Sequence, residues 1–409
     1  MLKLFCKRVL YSVLSKMFFW TIPSCKWHVF LNTRREWVNR LEKGIKNADV
    51  RLENKKRLLK LLYWNGGVSK QEITSSLHLS MPTVNLLISQ LEEDSLIEKR
   101  RADTSSGGRI PDLLYFRYSA KLVVGVEIKA GLCMILIADL RGNTLARKRV
   151  AARFNNGITY WQGLRALILQ MIEENHFHQE DFLGVGIALQ NNMDSRDLIE
   201  PISRYDCERL ERYLGFPVLL EWDANAAGFA NIWFEDNLQQ AMYLSISEEI
   251  DGAVIVDRRI LRGERDRCGR LGHMTLVPGG KACICGKKGC VQAYCSTDLL
   301  TSAVNDDLDV FFSLLAGNDA LDKVWKQYCC DLGIFIANMN LSLDIPVIIG
   351  GELGKYIGEF AKELARGILE YAPQCSPELV RLAQIKRDAA AVGVSLMISA
   401  RYLSLTEDD

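Results

Sequence analysis

Four residues of one short segment have the chemistry to hold a metal ion. From Gly272 to Cys290 the chain reads GHMTLVPGGKACICGKKGC, which places His273, Cys283, Cys285 and Cys290 in one loop. Three thiolates and one imidazole are the four-ligand tetrahedral set that suits a structural zinc ion (Zn2+). The glycines of the loop serve the same end, because a chain wrapped tightly round an ion needs backbone angles that a side chain hinders. The Cys-x-Cys spacing is tighter than the usual finger knuckle, so the general zinc signature is met in part. The alternative is four residues scattered over a mobile loop. A cluster of three cysteines in a reducing compartment favours the ion.

A second group of residues has the types and order needed to touch DNA. Arg51–Tyr63 forms an amphipathic helix with Leu58, Leu59, Leu61 and Leu62 on one side, stopped by Asn65-Gly66-Gly67. Ser69 caps a short helix, with Glu72 in capping-box position. After the turn His78-Leu79-Ser80, Ser80 caps a third helix whose Pro82 sits where a missing amide is harmless. Val84, Leu87, Ile88 and Leu91 then face the core, and Ser80, Thr83, Asn85 and Gln90 point outward. Short polar side chains at the start of such a helix suit base edges and phosphates in a major groove. The following LIEKRRADTSSGGRIPDLLYFR reads as a hairpin wing whose Arg100, Arg101 and Arg109 meet phosphates or enter a minor groove. A three-helix linker with solvated charges is the alternative; spacing, caps and a basic wing together favour DNA binding.

The rest of the chain must position these groups. At 409 residues, 48% of them hydrophobic and 25% charged, it is a globular protein of two or three domains. The net charge is only +1, but residues 1–120 hold 21 Lys/Arg against 11 Asp/Glu, so a basic front end sits on an acidic body. That asymmetry points to a polyanion as partner of the front end. Twelve cysteines without a small-domain disulfide pattern imply reduced thiols and a cytoplasmic location. Residues 1–49 read as an extension, partly helical or disordered, with no assigned function. Lys16 interrupts its apolar run, which is too short to span a membrane, and no cleavage site follows. Residues 50–118 are the winged helix-turn-helix. From 119 to 409, three strands, a helix and further strands are followed by a second round of the scheme, which describes a duplicated α/β lobe with a cleft between the halves.

These motifs resemble the ROK family of repressors and sugar kinases, in its transcriptional-repressor branch, over about residues 50–405. The carriers are the GGRIP wing end, the ADLRGNTL turn, the DANAAG strand-to-helix junction, GHM followed by CICGKKGC, the IPVIIGG strand and the final AAAVGVSLMI helix. The resemblance implies a two-lobe actin-like, ribonuclease-H-like α/β fold behind the winged helix-turn-helix, with His273, Cys283, Cys285 and Cys290 on zinc. It also places Asp223 where the kinases of the family deprotonate a sugar hydroxyl. Here, however, the phosphate cradles are altered. Glu127-Ile128-Lys129-Ala130-Gly131 stands where the family has Asp-x-Gly-Gly-Thr. Ser247 to Gly252, with Glu248, Glu249 and Asp251, stands where it has alternating glycines. Carboxylates beside a triphosphate repel it, so no kinase activity is expected and Asp223 is a relic base position.

The sugar pocket implied by the family is changed as well. Trp222, Arg270 and Gln292 replace Asn, Glu and Glu, and Gln190-Asn191 replaces Pro-Gly, so the effector pocket comprises Trp222, Asp223, Arg270, His273 and Gln292. Arg270 either binds an anionic sugar derivative or pairs with a nearby carboxylate, and Trp222 either stacks on a sugar or fills space. The expectation is a homo-oligomeric regulator, a dimer or a tetramer. It binds a double-stranded DNA operator, answers to a sugar or sugar phosphate and has no membrane partner. The alternatives are an ATP-dependent sugar kinase with a regulatory domain, or an interaction scaffold without ligands.

Overall fold

The computed structural model describes residues 47–101, 112–190, 204–235, 237–264, 266, 268–305, 307–371, 373 and 379–404. The extension up to residue 46, the wing tip with Arg109, and Asn191 lie outside the described residues. Contacts divide the chain after Leu58. The described part of the first unit is the opening of helix α1 (Asn47–Trp64), which starts four residues before the expected Arg51.

The second unit begins with the end of α1 and continues into a compact winged helix-turn-helix. A two-residue strand, β1 (Val68–Ser69), precedes α2 (Lys70–Leu77). The capping box is complete: Ser69 Oγ accepts from the Glu72 N–H at 3.2 Å, and Glu72 Oε2 accepts from the Ser69 N–H at 2.7 Å. His78 adopts the left-handed conformation, φ 54°, and so ends α2 and turns the chain. Helix α3 (Met81–Glu93) buries Val84, Leu87, Ile88 and Leu91 on one stripe. Strands β2 (Ile97–Arg101) and β3 (Asp112–Phe116) form the antiparallel wing, and β1 adds to the far edge of β3.

The remainder builds one sheet scheme twice. In the first lobe β4 (Leu122–Ile128), β5 (Leu132–Asp139) and β6 (Thr144–Ala151) form a meander. Helix α4 (Ile158–Glu174) leads to β7 (Phe182–Leu189), and α5 (Arg204–Leu214) leads to β8 (Val218–Trp222), both strands parallel to β4. The order is β6-β5-β4-β7-β8. After α6 (Asp223–Trp233) the second lobe repeats it with β9 (Ala241–Ile246), β10 (Ile250–Val256) and β11 (Arg259–Ile260). The metal-loop residues follow, then α7 (Asp298–Val304), α8 (Leu308–Leu315) and α9 (Asp319–Leu343). Strand β12 (Val347–Gly351), α10 (Ile357–Tyr371) and β13 (Val380–Leu382) complete the order β11-β10-β9-β12-β13. The chain closes with α11 (Ala389–Tyr402), which returns to the first sheet.

Each lobe has its own core, around Val124, Ile135, Trp161 and Ile187 in the first and Leu244, Val254, Leu332 and Ile349 in the second. A third cluster, with Ala226, Tyr243, Ala253, Ile348 and Val394, joins α6 and α11 to the second sheet. Joining them demands close approach. A Cβ at Gly393 would sit 1.9 Å from the Ala226 carbonyl oxygen, and one at Gly125 would sit 2.1 Å from that of Ala391. The expected duplication is therefore present, whereas α7, α8 and the short β11 and β13 go beyond the sequence expectation. Strands of two or three residues carry no alternation to read. Among the described residues no helix is long and apolar enough to cross a membrane.

Candidate functional site

The loop after β11 brings the four metal-type residues together. Their ligand atoms all lie within 4.8 Å of one another. Cys283 Sγ is 3.7 Å from His273 Nδ1, and Cys285 Sγ is 3.7 Å from Cys290 Sγ. A tetrahedral ion with Zn–S bonds of about 2.3 Å requires an S–S edge of about 3.8 Å, and the two 3.7 Å separations are close to that edge. The backbone explains how. Cys290 pairs with Thr275 and Lys288 with Ala282 in antiparallel bridges, and the Cys283 N–H donates to Lys287 O at 2.9 Å. Gly289 is indispensable to this turn: its φ is 83°, and a Cβ would fall 1.7 Å from Val277 O.

Between the lobes lies a cleft of about 610 Å³. Asp223, the first residue of α6, lines it, and its Oδ1 accepts from the Ala224 N–H at 2.8 Å. Burial, seconded by the charge of Glu127, pushes the Asp223 carboxyl up to about 7, with Lys129 pulling the other way. Lys129 is itself paired with Glu127 at 3.3 Å. Burial works against its charge, but Glu127 and Asp223 outweigh this and hold it above the usual lysine value. Across the cleft, Gln190 Nε2 at the end of β7 donates to Glu249 Oε2 in the β9–β10 turn at 3.1 Å.

The other residues of the expected effector pocket divide. Gln292 is fully engaged by the second lobe's own backbone: Oε1 accepts from the Ile250 N–H at 2.7 Å, and Nε2 donates to Glu248 O at 2.5 Å. Arg270 and His273 line a small side cavity with Glu249, Asp251 and Gln292, outside the main cleft. The Arg270 Nε is buried without a hydrogen-bond partner among the described residues. Trp222 takes the space-filling alternative. It belongs to the first lobe's core with Leu220 and Leu189 and does not line the cleft, because the period-2 geometry of β8 turns it inward.

On the winged domain, Ser80 caps α3, accepting from the Thr83 N–H at 3.5 Å, with the two hydroxyls 2.9 Å apart. Asn85 is exposed, and its Oδ1 accepts from Lys70 Nζ at 2.7 Å, which ties α3 to α2. Thr83 and Gln90 are half-buried. Arg100 pairs with Glu98 and lies over the Tyr115 ring at 4.9 Å, and Arg101 is exposed at the end of β2. Sequence reasoning missed Lys70, whose link to Asn85 crosses between helices. It also missed Glu352, Lys355, Lys386 and Arg387 on the cleft, which come from scattered segments, although the Lys386-Arg387 pair just before α11 was a visible signal.

Comparison with known proteins places these sites in context. A family model described as "ROK family" matches residues 123–401, and one described as "Winged helix-turn-helix DNA-binding" matches residues 51–98. The xylose repressor of Caldicellulosiruptor bescii is 20% identical over 390 residues, covering 87% of this chain and 97% of that protein. A crystal structure of a ROK family transcriptional regulator, a homolog of the E. coli Mlc protein, superposes with a TM-score of 0.71 at 18% identity, over 87% of this chain and 98% of that one. The ROK hexokinase of Thermus thermophilus superposes at 0.56 with 27% identity, over 69% of this chain and 99% of that one.

The cleft carboxylate makes a prediction. The Asp223 value is raised above the unfolded 3.8, so its stabilising protonation is complete below about pH 4 and is lost as pH rises through about 7. Asp223→Asn keeps the acceptor for the Ala224 N–H and does not titrate. Its urea midpoint should therefore gain on that of the parent protein between pH 5 and pH 8; a gap independent of pH would contradict the assignment.

Proposed function

The chain belongs to the ROK family, and on that premise we propose that it is a DNA-binding transcriptional repressor of sugar-related genes, its two-lobed body serving as the effector domain. The observation that carries this reading is the joining of a winged helix-turn-helix, with Ser80, Asn85 and Arg101 exposed, to a ROK-family body. Recognition helices of this kind act in pairs on two-fold half-sites, which favours a homodimer.

The body is best read as a receptor without kinase activity. The turn from Ser247 to Gly252 carries Glu249 and Asp251 into the cleft, and Gln292 pins that turn by its backbone. A triphosphate would meet these carboxylates at close range, which opposes ATP binding. The same carboxylates favour a neutral sugar over a sugar phosphate as effector. One observation favours a second reading: Asp223, with its carboxyl near neutrality, suits a general base.

His273, Cys283, Cys285 and Cys290 would hold zinc, which would supply cohesion to the loop and no chemistry. The fit rests on donor type and on spacing.

Three experiments test these readings. The protein should bind duplex from its own upstream region in preference to random duplex, with affinity falling steeply in salt. Arg101→Ala should weaken both duplexes alike and lower the salt slope by about 1. Equal affinity for the two duplexes would defeat the repressor reading. Protein purified without added metal should carry about one zinc per chain, and a chelator should lower its melting temperature; metal-free protein of unchanged stability would rule zinc out. With magnesium and ATP, no phosphate transfer to glucose, xylose or N-acetylmannosamine is expected. Turnover abolished by Asp223→Asn would establish the kinase reading instead.

A further inference from the structure

Helix α6 touches both ends of the proposed signalling problem. Its first residue, Asp223, lines the cleft, as does Ala227 one turn on. Every residue from Ala224 to Trp233 is buried, and the helix packs on α11 of the first lobe and on β9 and β10 of the second. Eleven residues make a rod of about 16 Å. With no exposed face and its backbone at Ala226 set directly against Gly393 of α11, it is held as a packed rod.

The far end of this rod is joined to the winged domain by hydrogen bonds as well as by packing. Trp233 Nε1 donates to the Tyr63 hydroxyl oxygen at 3.1 Å, and that hydroxyl donates to Leu140 O at 3.0 Å. Tyr63 is in the last turn of α1 and is 1% exposed. Its own carbonyl accepts from the Tyr118 hydroxyl at 2.5 Å, just beyond the wing. The ring meets Phe116, Tyr118 and Trp233 edge-on, with centroids 5.4, 5.4 and 6.0 Å away. On the opposite side, Arg258 of the second lobe donates to the carbonyls of Ile232, Trp233 and Glu235, which fixes the end of α6 to that lobe too.

We propose that α6 transmits the state of the cleft to the DNA-reading helices, and that the chain Trp233–Tyr63–Leu140 is the joint at its far end. This deepens, and rests on, the reading of the chain as a ligand-responsive repressor. Apolar rings alone could slide over one another. A buried hydroxyl that must accept from one partner and donate to another has one register, so displacement of Trp233 displaces Tyr63 and the wing strand residue Phe116 packed on it. Tyr63 acts here as a positioning residue, with no contact to ligand or DNA.

The test uses the full chain and a change at the cleft end as the probe. Hydrogen exchange of the amides in residues 70–93 is measured for Asp223→Asn in the parent protein and in a Tyr63→Phe background. Asp223→Asn should alter those exchange rates by about fivefold or more in the parent, and by less than about twofold once the hydroxyl is gone. Trp233→Phe removes the same joint from its other side and serves where Tyr63→Phe fails to fold. Equal effects in both backgrounds, or no effect in either, would overturn the proposal. Duplex binding measured alongside separates the two claims. An intact exchange cycle without DNA binding supports the coupling and sinks the repressor reading, and DNA binding with an empty cycle does the reverse.

Discussion

The contact on which the rest of the architecture depends is that of backbone against backbone among α11, α6 and the first sheet. Gly125 and Gly393 let peptide groups of facing elements touch where any other residue would interpose a methyl group within about 2 Å of a carbonyl oxygen. At Gly186 a Cβ would fall 2.7 Å from the Val394 Cβ, a looser version of the same approach. Contacts of this kind leave no slack, because a well-packed interior cannot absorb even one methylene without displacement. The position of α6 is thereby fixed relative to the first lobe. One consequence is that Asp223 stands at the cleft; the other is that Trp233 meets Tyr63 at the opposite end.

The electrostatics of the cleft bear on its possible occupants. Its lining includes six carboxylates (Glu127, Asp223, Glu249, Asp251, Glu352 and Asp388) and five cations (Lys129, Arg149, Lys355, Lys386 and Arg387). A carboxylate and a phosphate oxygen 4 Å apart repel by about 4 kcal/mol at an effective dielectric constant of about 20. Two of the cations are already engaged: Lys129 pairs with Glu127, and Arg149 lies 3.8 Å from Asp388. The balance suits a polyhydroxy ligand, whose hydroxyls can donate to carboxylates and accept from lysines.

What could be read in the sequence was what is local. The capping box at Ser69 and Glu72, the Ser80 cap and the buried stripe of Val84, Leu87, Ile88 and Leu91 depend on residues three or four apart, and all stand as expected. The repeat of the lobe was legible because buried parallel strands read as continuous apolar runs. The cleft was only half legible. Glu352 and Lys355 reach it from a segment with no mark of its own, and Gln292 turns to the backbone of the Glu248–Ile250 turn in a way that spacing cannot show. Trp222 was placed by its neighbour Asp223 when the better guide was its own strand. Leu220 and Trp222 are two residues apart and share the core, while Glu221 between them points to Arg262.

Polar bridges between the lobes at Glu221 and at Gln190 differ in strength, and the difference bears on how a receptor of this kind can switch. Glu221 of β8 is 1% exposed and takes four donors: the Trp222 N–H, Asn225 Nδ2, and Arg262 Nη1 and Nη2 from the second lobe. Opening it would leave a charge buried without its partner, so the lobes stay attached there. Gln190 and Glu249 share one neutral-to-anion hydrogen bond at the cleft, worth about 1.5–3 kcal/mol at most. A sugar that engages either group replaces that bond with its own hydroxyls. It therefore need supply only a few kcal/mol of differential affinity to change how the lobes meet, a modest demand on a site of this size. The buried bridge at Glu221 is thus the stronger attachment and the Gln190–Glu249 bond the weaker, and α6 packs on both lobes between them.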